Sequence, residues 1–291
     1  MRDMITIPAD AVQVGAPEPH LDSIASQQHY DRSWFGDEAP QHVCEIPAFR
    51  IDRTPVTNLD YAQFVDATGY VTAAEQRGFG LVYGLTYWQT EPGVCWRTPA
   101  PGRDAVTDTP DHPVVHVDHA DATAYATWAG KRLPTETEWE YAAHGPTWTP
   151  YPWGTDWNPL LLNSVEQQAG HIHTLDQWRT WWRERYNQHG FTPGTTPVGT
   201  YSPGGDSVFE VADLAGNVAE WTASLYTPYD PSVTYDPALS AAMLHGYRVV
   251  RGGSWKHLRW QVRTTERIAC EPGYSCFDIG FRCAADAHTD H

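Results

Sequence analysis

Glycine and proline punctuate this sequence so densely that long regular elements have little room. The chain has 23 glycines and 23 prolines among its 291 residues, more than the usual combined share of about 12%. It also carries 14 Trp, 15 Tyr and 8 Phe. Large rings between frequent turns indicate a loop-rich fold whose core is filled by aromatic side chains. This pattern excludes a plain helical bundle.

Length and hydrophobic content indicate a globular protein. Hydrophobic residues make up 41% of the chain, which is ordinary for a folded domain and too rich for a disordered one. The length fits one large domain or two small ones. Because no Pro/Ser-rich linker divides the chain, we predict a single domain over residues 1–291, with an insertion at about 165–189 and a tail at 287–291.

The charge balance restricts the partners of the protein. Nineteen Lys and Arg residues against 36 Asp and Glu residues give a net charge of −17. Binding to nucleic acid or to an anionic membrane depends on Lys and Arg that neutralise phosphate. We therefore expect no nucleic-acid partner and no membrane partner. The acidity suits metal ions, and solubility alone also accounts for it.

The cysteines and the N-terminus indicate the compartment. The five cysteines are an odd number without the tight spacing of a secreted disulfide framework. They are Cys44, Cys95, Cys270, Cys276 and Cys283. The first residues, MRDMITIPAD, contain no apolar signal-peptide core, and no apolar run approaches the roughly eighteen residues of a membrane span. These features predict a cytoplasmic protein with reduced thiols.

Capping residues predict three short helices. Each begins at a Thr or Asp, and two of them show the capping-box spacing, Thr57 with Asp60 and Thr135 with Glu138. Each is followed by a glycine. The predicted helices run from Thr57 to about Ala67, from Asp118 to about Ala129 and from Thr135 to about His144.

The rest of the chain is predicted to form short strands and ordered loops. Four segments resemble strands: HVCEIPAFRIDRTPVT, TTPVGTYSPGG, YRVVRGGSW and IGFRCAA. The segment LDQWRTWWRERY has tryptophans at helical spacing and predicts an inserted helix whose Trp residues form core or a lid. Helices on one side of an irregular antiparallel sheet make the fold class α+β.

Several motifs together resemble one known family. The segments FRIDRTPVTNLDYAQFV, CWRTPAPG and DHPVVHVDHADATAYATWAGKRLPTETEWEYAAHG, followed by YPWG, PVGTYSPGG, VADLAGNVAEWT, YRVVRGGSW and IGFRCA, are similar to the formylglycine-generating enzyme (sulfatase-modifying factor) family. They occur in the family's order from about residue 43 to residue 286. The resemblance implies the elaborated C-type-lectin-like fold, with little regular secondary structure.

The family's copper-binding cysteines are absent. In the family two cysteines, four residues apart, follow the GGS turn, and with copper and oxygen they oxidise a substrate cysteine. Here the segment is RGGSWKHLRWQVRTTER, with His257 in place of the first cysteine and about three residues missing. Cu(I) prefers soft thiolates. The shortened segment instead resembles the C-terminal domain of ergothioneine-type sulfoxide synthases and the oxidase of pyoverdine maturation.

The resemblance also implies calcium. The family's turn binds Ca²⁺ through one Asn or Asp side chain, two carbonyls and a Glu, and the matching positions here are Asp213, Gly216, Val218 and Glu220. Hard oxygen ligands suit this ion. The alternative is a turn whose Glu caps a neighbouring N–H. We expect calcium to be a structural ion.

A second family calcium site matches only in part. Asn163 fits its first ligand, and the neighbouring Ser164 offers a carbonyl. The family's second ligand, an Asp before Gly-Phe, is replaced by His189. A neutral imidazole is a poor ligand for calcium, so we expect this second site to be lost or altered.

Histidines of the insertion are candidate ligands for a redox metal. His171 and His173 alternate along the chain, so both would point to one side of an extended segment. Together with a third ring, His257 or His189, they would form an open site for Fe(II) or Cu. The alternative is a polar loop with two histidines by chance. We take His171, His173 and His257 as the candidate catalytic residues.

Residues after the GGSW turn are candidates for substrate binding. Arg259, Trp260 and Arg263 are predicted to contact substrate, since arginine clamps carboxylates bidentately. The competing role for these arginines is ion pairing with internal Asp or Glu. Cys270 and Cys276 could replace the missing thiol pair, form a disulfide or pack in the core.

Three functional hypotheses follow. The first is an oxygen-dependent metalloenzyme with Fe or Cu that oxidises or hydroxylates a small molecule or peptide, in specialised biosynthesis. The second is a non-catalytic lectin-like binding module. The third is an atypical formylglycine-generating enzyme that uses Cys270 and Cys276. A serine nucleophile elbow, a P-loop, a GxGxxG motif and paired zinc CxxC motifs are absent from the sequence, so hydrolase, kinase and dinucleotide-dependent classes have no support.

Overall fold

A computed structural model describes residues 3–28, 30–172, 174–232 and 234–287. Within these ranges the helices are short, and several are single turns. The α-helices are α1 (Glu18–Gln28), α2 (Asn58–Thr68), α3 (Ala73–Arg77), α4 (Ala105–Asp108), α5 (His119–Trp128), α6 (Glu136–His144), α7 (Val165–Ala169), α8 (Leu175–His189) and α9 (Pro237–Leu244). Three 3₁₀ helices lie at Arg32–Glu38, Pro159–Leu161 and Arg259–Gln261.

The strands are equally short and form several small sheets. They are β1 (Met4–Ile7), β2 (Asp10–Val14), β3 (His42–Ile46), β4 (Phe49–Asp52), β5 (Phe79–Tyr83), β6 (Trp88–Pro92), β7 (Ala219–Leu225), β8 (Arg248–Arg251), β9 (Ile268–Cys270), β10 (Ile279–Gly280) and β11 (Ala284–Asp286). Over the described residues the sheets have the orders β1-β4-β11, β10-β7-β8-β9, β2-β3 and β5-β6. The mixture of helices and sheets confirms the α+β prediction.

The three helices predicted from caps are confirmed. Thr57, Asp118 and Thr135 cap α2, α5 and α6, and each forms a capping box with the acidic residue three positions later. Gly69 ends α2 in the left-handed conformation. The inserted helix is also present as α8, where Thr174 is the cap. The capping residues in the sequence therefore predicted correctly where these helices begin.

Two sheet predictions are wrong. The segment TTPVGTYSPGG forms successive turns and no strand, because Pro197 and Pro203 supply no N–H for a ladder. The single antiparallel sheet is replaced by separate small sheets, and β10 pairs with β7 in parallel, Ile279 opposite Ala219. This pairing brings the segment that follows Asp278 against the strand that contains Glu220.

The core is aromatic, as the composition predicts. The main cluster contains Trp96, Trp182, Trp221 and Trp255, all at most 1% exposed. Trp182 of the inserted helix lies 6.0 Å from Trp255 of the GGSW turn. The insertion is thus packed into the core against the GGSW turn.

The structure shows the state of the five cysteines, which the sequence left open. All five cysteines are free thiols, and Cys270 and Cys276 belong to the main core cluster. Packing, one of the three alternatives for this pair, is therefore what the structure shows, and they form no disulfide.

Within the described ranges no helix is long and apolar enough to cross a membrane. Of the predicted tail, only residue 287 is described.

Candidate functional site

The site begins at the GGSW turn after β8. Gly252 and Gly253 have φ angles of 86° and 64°, a region that disfavours side chains. A Cβ on Gly253 would lie 2.3 Å from the carbonyl oxygen of Gln261. The glycines therefore allow the chain to reverse tightly, and the turn delivers Ser254, Lys256 and His257 to one place.

Asp278 is the centre of this group. Its Oδ2 accepts a hydrogen bond from the Ser254 hydroxyl at 2.7 Å and lies 2.9 Å from the Lys256 Nζ. Its Oδ1 accepts a hydrogen bond from the Cys276 thiol at 3.1 Å. Three donors thus stabilise one buried carboxylate.

The electrostatics keep Asp278 ionised and the thiols protonated. Burial alone would raise the pKa of Asp278, but Lys256 and the hydrogen bonds outweigh burial and lower it. Burial raises the pKa of Cys270 to about 12, and the charge of Asp278 adds to the effect. Burial and the same carboxylate raise the pKa of Cys276 well above its ordinary value. Neither sulfur is a thiolate at neutral pH, so neither is an activated nucleophile.

His257 is held neutral by burial. Burial, assisted by the charge of Lys256, lowers its pKa to about 3. Its Nδ1 accepts a hydrogen bond from the Ser254 backbone N–H at 2.9 Å. Its Nε2 lies 3.2 Å from Lys256 Nζ, so both ring nitrogens face N–H donors, although a neutral imidazole has one acceptor nitrogen. A metal could bind either nitrogen only by displacing the donor that faces it.

A cavity of about 340 Å³ opens at this cluster. Its polar lining includes Lys256, His257, Cys270, Cys276 and Asp278. The Lys256 ammonium also lies 5.4 Å from the centre of the Trp88 ring. Sequence reasoning identified His257 and both cysteines but missed Lys256 and Asp278. The signal for Lys256 was its place beside His257, whereas nothing local marked Asp278.

His171 and Arg259 belong to a second group. The Arg259 guanidinium donates to both carboxylate oxygens of Glu166, at 2.9 and 2.6 Å, and to His171 Nδ1 at 2.5 Å. The side chain of His171 is 55% exposed. The contacts described for His171 and for His257 have no residue in common. His173 lies outside the described residues. Of the predicted histidine triad, the structure therefore describes His171 and His257.

Arg263 is engaged in a buried ion pair. Its Nη1 and Nη2 donate to the two oxygens of Glu38 at 2.7 and 2.6 Å, and Nη2 also donates to Glu266 at 2.9 Å. The side chains of Arg263 and Glu38 are each 1% exposed. Of the two roles open to Arg263, the described contacts are those of internal ion pairing. Trp260 is 5% exposed and packs among Phe35 and Leu258 in a core cluster.

The donors for a redox metal are incomplete among the described residues. In those ranges no group of three or more His, Cys, Asp or Glu side chains could hold a metal ion. His257 Nδ1 is occupied by an N–H, and the two thiols are protonated. The side chains that are described therefore do not fit iron or copper without a further donor.

One of the predicted calcium ligands, Glu220, is paired with an arginine. Arg282 donates to both oxygens of Glu220, at 2.7 Å each, and Trp139 Nε1 donates to one of them at 2.9 Å. The Asp213 carboxylate accepts a hydrogen bond from the Gly199 N–H at 2.6 Å, and burial raises its pKa to about 6. Asp213 suits a cation, but Glu220 is already neutralised. The predicted ligand set does not fit calcium while Arg282 occupies Glu220.

Asn163 is part of the same region. Its backbone bridges to Gly216, and its side-chain oxygen accepts a hydrogen bond from Gln168 at 2.9 Å. Val218 is buried at the start of β7. The contacts of Asn163 therefore join the insertion to the Gly216 turn.

Residues 1–287 match the family model described as the sulfatase-modifying factor enzyme 1-like domain. The formylglycine-generating enzyme of Streptomyces coelicolor is 37% identical over 280 residues, which cover 86% of this chain and 82% of that protein. The hercynine oxygenase of Mycobacterium tuberculosis is 36% identical over 232 residues, covering 75% of this chain and 48% of that protein. The mouse inactive C-alpha-formylglycine-generating enzyme 2 is 33% identical, covering 86% and 79%.

A solved structure supports the fold. PvdO from Pseudomonas aeruginosa has a TM-score of 0.64 and 24% identity, with 99% of this chain and 95% of that chain covered. This likeness, with the family match, confirms the predicted formylglycine-generating-enzyme-like fold.

Proposed function

This chain belongs to the sulfatase-modifying factor enzyme 1-like family, and from that membership we propose that it is an oxygen-dependent oxidase or oxygenase of a small molecule or peptide. Relatives named as formylglycine-generating enzymes and as a hercynine oxygenase support an enzymatic role of this kind. The missing cysteine pair separates this chain from the copper chemistry that the resemblance implied.

The observation that carries the proposal is the cavity at Asp278. A buried carboxylate held by Ser254, Lys256 and Cys276 faces a space of about 340 Å³. Polar groups that converge in a largely apolar pocket are the usual form of a small-molecule site. In this role Lys256 binds and orients a polar substrate group, and its contact with Asp278 holds it in place. The Trp88 ring contributes an apolar wall.

The redox metal is proposed as Fe or Cu, with His171, His173 and His257 as the candidate ligands. Because the described side chains do not complete a site, a bound metal needs a further donor and a local rearrangement of His257. Calcium would bind at Asp213, Gly216, Val218 and Glu220, with Asn163 nearby, only if Arg282 released Glu220.

Metal analysis of the purified protein tests the first hypothesis. The protein is loaded separately with Fe(II) or Cu under reducing conditions, desalted and analysed for bound metal, and oxygen consumption is then measured. We expect one redox metal per chain, lost in His171→Ala and retained in the exposed control His245→Ala. A chain that binds neither metal would refute the metalloenzyme.

The second candidate, a non-catalytic binding module, is favoured by one relative whose name describes an inactive enzyme. Trp153 is partly exposed and stacks on the buried ring of Tyr151 at 5.3 Å, so it would offer one aromatic face to a ligand. Calcium as the only bound metal, with no oxygen consumption, would favour this candidate.

The third candidate uses Cys270 and Cys276. Both sulfurs line the cavity, but as protonated thiols they would have to release protons before binding Cu(I). Copper that is lost in Cys270→Ala or Cys276→Ala, and retained in Cys44→Ala, would favour this candidate over the first.

A further inference from the structure

Arg185 of α8 is partly buried and lacks the carboxylate partner that the fully buried arginines have. Arg251, Arg263, Arg267 and Arg282 each pair with a glutamate. Among the described residues, Arg185 of α8 has no ion pair: its Nη2 donates to the Thr192 carbonyl at 2.6 Å, and its solvent-shielded Nη1 has no hydrogen-bond partner. Burying an unpaired charge is unfavourable, so this cation is suited to an anion that is supplied from outside.

The guanidinium of Arg185 is held rigidly. It stacks on Trp255 at 4.2 Å from the ring centre and lies 5.6 Å from Trp182. Gly194 leaves room for this stack, since a Cβ there would approach the Trp255 ring to 2.6 Å and Arg185 Nη2 to 3.1 Å. Burial lowers the pKa of Arg185 to about 10, so the group stays charged at neutral pH. A preorganised planar cation binds carboxylates well because little freedom is lost.

A cavity of about 640 Å³ adjoins this arginine. Its lining includes Arg103, Gln168, Glu184, Gln188 and His189 as well as Arg185. It shares no lining residue with the cavity at Asp278. The lining offers two guanidinium groups and amide donors to an anion. The charge of Glu184 disfavours a dianion such as phosphate more than a single carboxylate.

We propose that this cavity binds a carboxylate group of a small-molecule ligand, with Arg185 as the anchoring cation and Arg103 as the second. The carboxylate would neutralise the stacked guanidinium of Arg185, which lines the cavity. The proposal does not depend on the redox proposal, because binding at this cavity needs neither a metal nor the cluster at Asp278.

The test uses acetate as the probe and the tryptophan fluorescence of the intact protein as the signal, since Trp255 stacks on Arg185. Acetate is titrated against chloride at constant ionic strength and neutral pH. We expect a saturable change with acetate and none with chloride. Arg185→Gln should weaken acetate binding at least about tenfold, because it removes a charge-assisted hydrogen bond. Arg185→Lys should also weaken it, since an ammonium does not reproduce the stacked fork.

The matched control is Arg183→Gln. Arg183 lies on the same helix and is exposed, so this variant makes the same charge change without touching the cavity, and it should bind acetate like the parent. Equal losses in the two glutamine variants would overturn the proposal, because a general charge effect would explain both. Equal responses to acetate and chloride in the parent protein would also overturn it, as would tighter binding of inorganic phosphate. If Arg185→Gln fails to fold, Arg103→Gln decides, with weaker acetate binding expected and unchanged binding contradicting the proposal.

Discussion

Replacing Arg263 by methionine should destabilise the fold strongly. The substitution removes the cation that holds both oxygens of Glu38 in a setting where each side chain is 1% exposed. It also leaves Glu266, whose pKa is raised by burial and by the charge of Glu38, without its guanidinium partner. Removing one partner of a buried pair costs about 3–5 kcal/mol, because the other charge stays buried and unpaired. We expect a loss of this size in the free energy of unfolding.

Urea unfolding followed by tryptophan fluorescence measures this loss through the linear dependence of the unfolding free energy on denaturant. The control is Arg179→Met, which removes an exposed pair with Asp176 at 2.8 Å and should cost no more than about 0.5 kcal/mol. Adding Glu38→Gln to Arg263→Met should recover part of the loss, since it removes the stranded charge. A cost below about 1 kcal/mol for Arg263→Met would refute the internal ion pair and return Arg263 to the substrate-binding role.

Three further predictions concern the thiols, calcium and pH. Because the pKa of Cys270 is raised to about 12 and that of Cys276 is raised well above its ordinary value, iodoacetamide at pH 8 should leave both unlabelled in the native protein and label both after unfolding; native labelling detected by mass spectrometry would contradict this. Because Arg282 occupies Glu220, calcium added to chelator-treated protein should leave the melting temperature unchanged in calorimetry; a saturable rise would instead support the calcium site. Because the pKa of His257 is lowered from 6.5 to about 3, the unfolded state takes up its proton first, so the contribution of this residue to stability should be lost as pH falls from 6.5 toward 3; His257→Asn should flatten the pH dependence of urea unfolding, and an unchanged slope would argue against a buried neutral ring.

The sequence was most informative where the determining contacts are local. The capping boxes of α2, α5 and α6 join residues three positions apart, so the caps alone locate these helices. The segment TTPVGTYSPGG was mistaken for a strand because its Thr, Val and Tyr residues favour strands. The two prolines of the segment cannot donate to a strand ladder, and the segment forms turns.

The candidate site depended on contacts that the sequence does not reveal. Arg263 and Glu38 are 225 positions apart, so no local pattern could distinguish an ion pair from a substrate clamp. His257 was found because it replaces a family cysteine. Asp278 was missed because its role arises only when the GGSW turn and the start of β10 come together, which places Ser254 and Lys256 on one carboxylate.

The net charge of −17 acquires a more specific meaning from these pairs. Buried glutamates such as Glu38 and Glu220 are neutralised by arginines inside the protein, and each such pair takes one cation away from the surface. The surface is therefore depleted of positive charge, which strengthens the expectation that the protein binds no nucleic acid. An anionic ligand would be repelled at long range by such a surface. Its binding therefore requires a cationic side chain that is not paired with an internal carboxylate. Arg185 meets that condition, and it stands beside the larger of the two cavities described above.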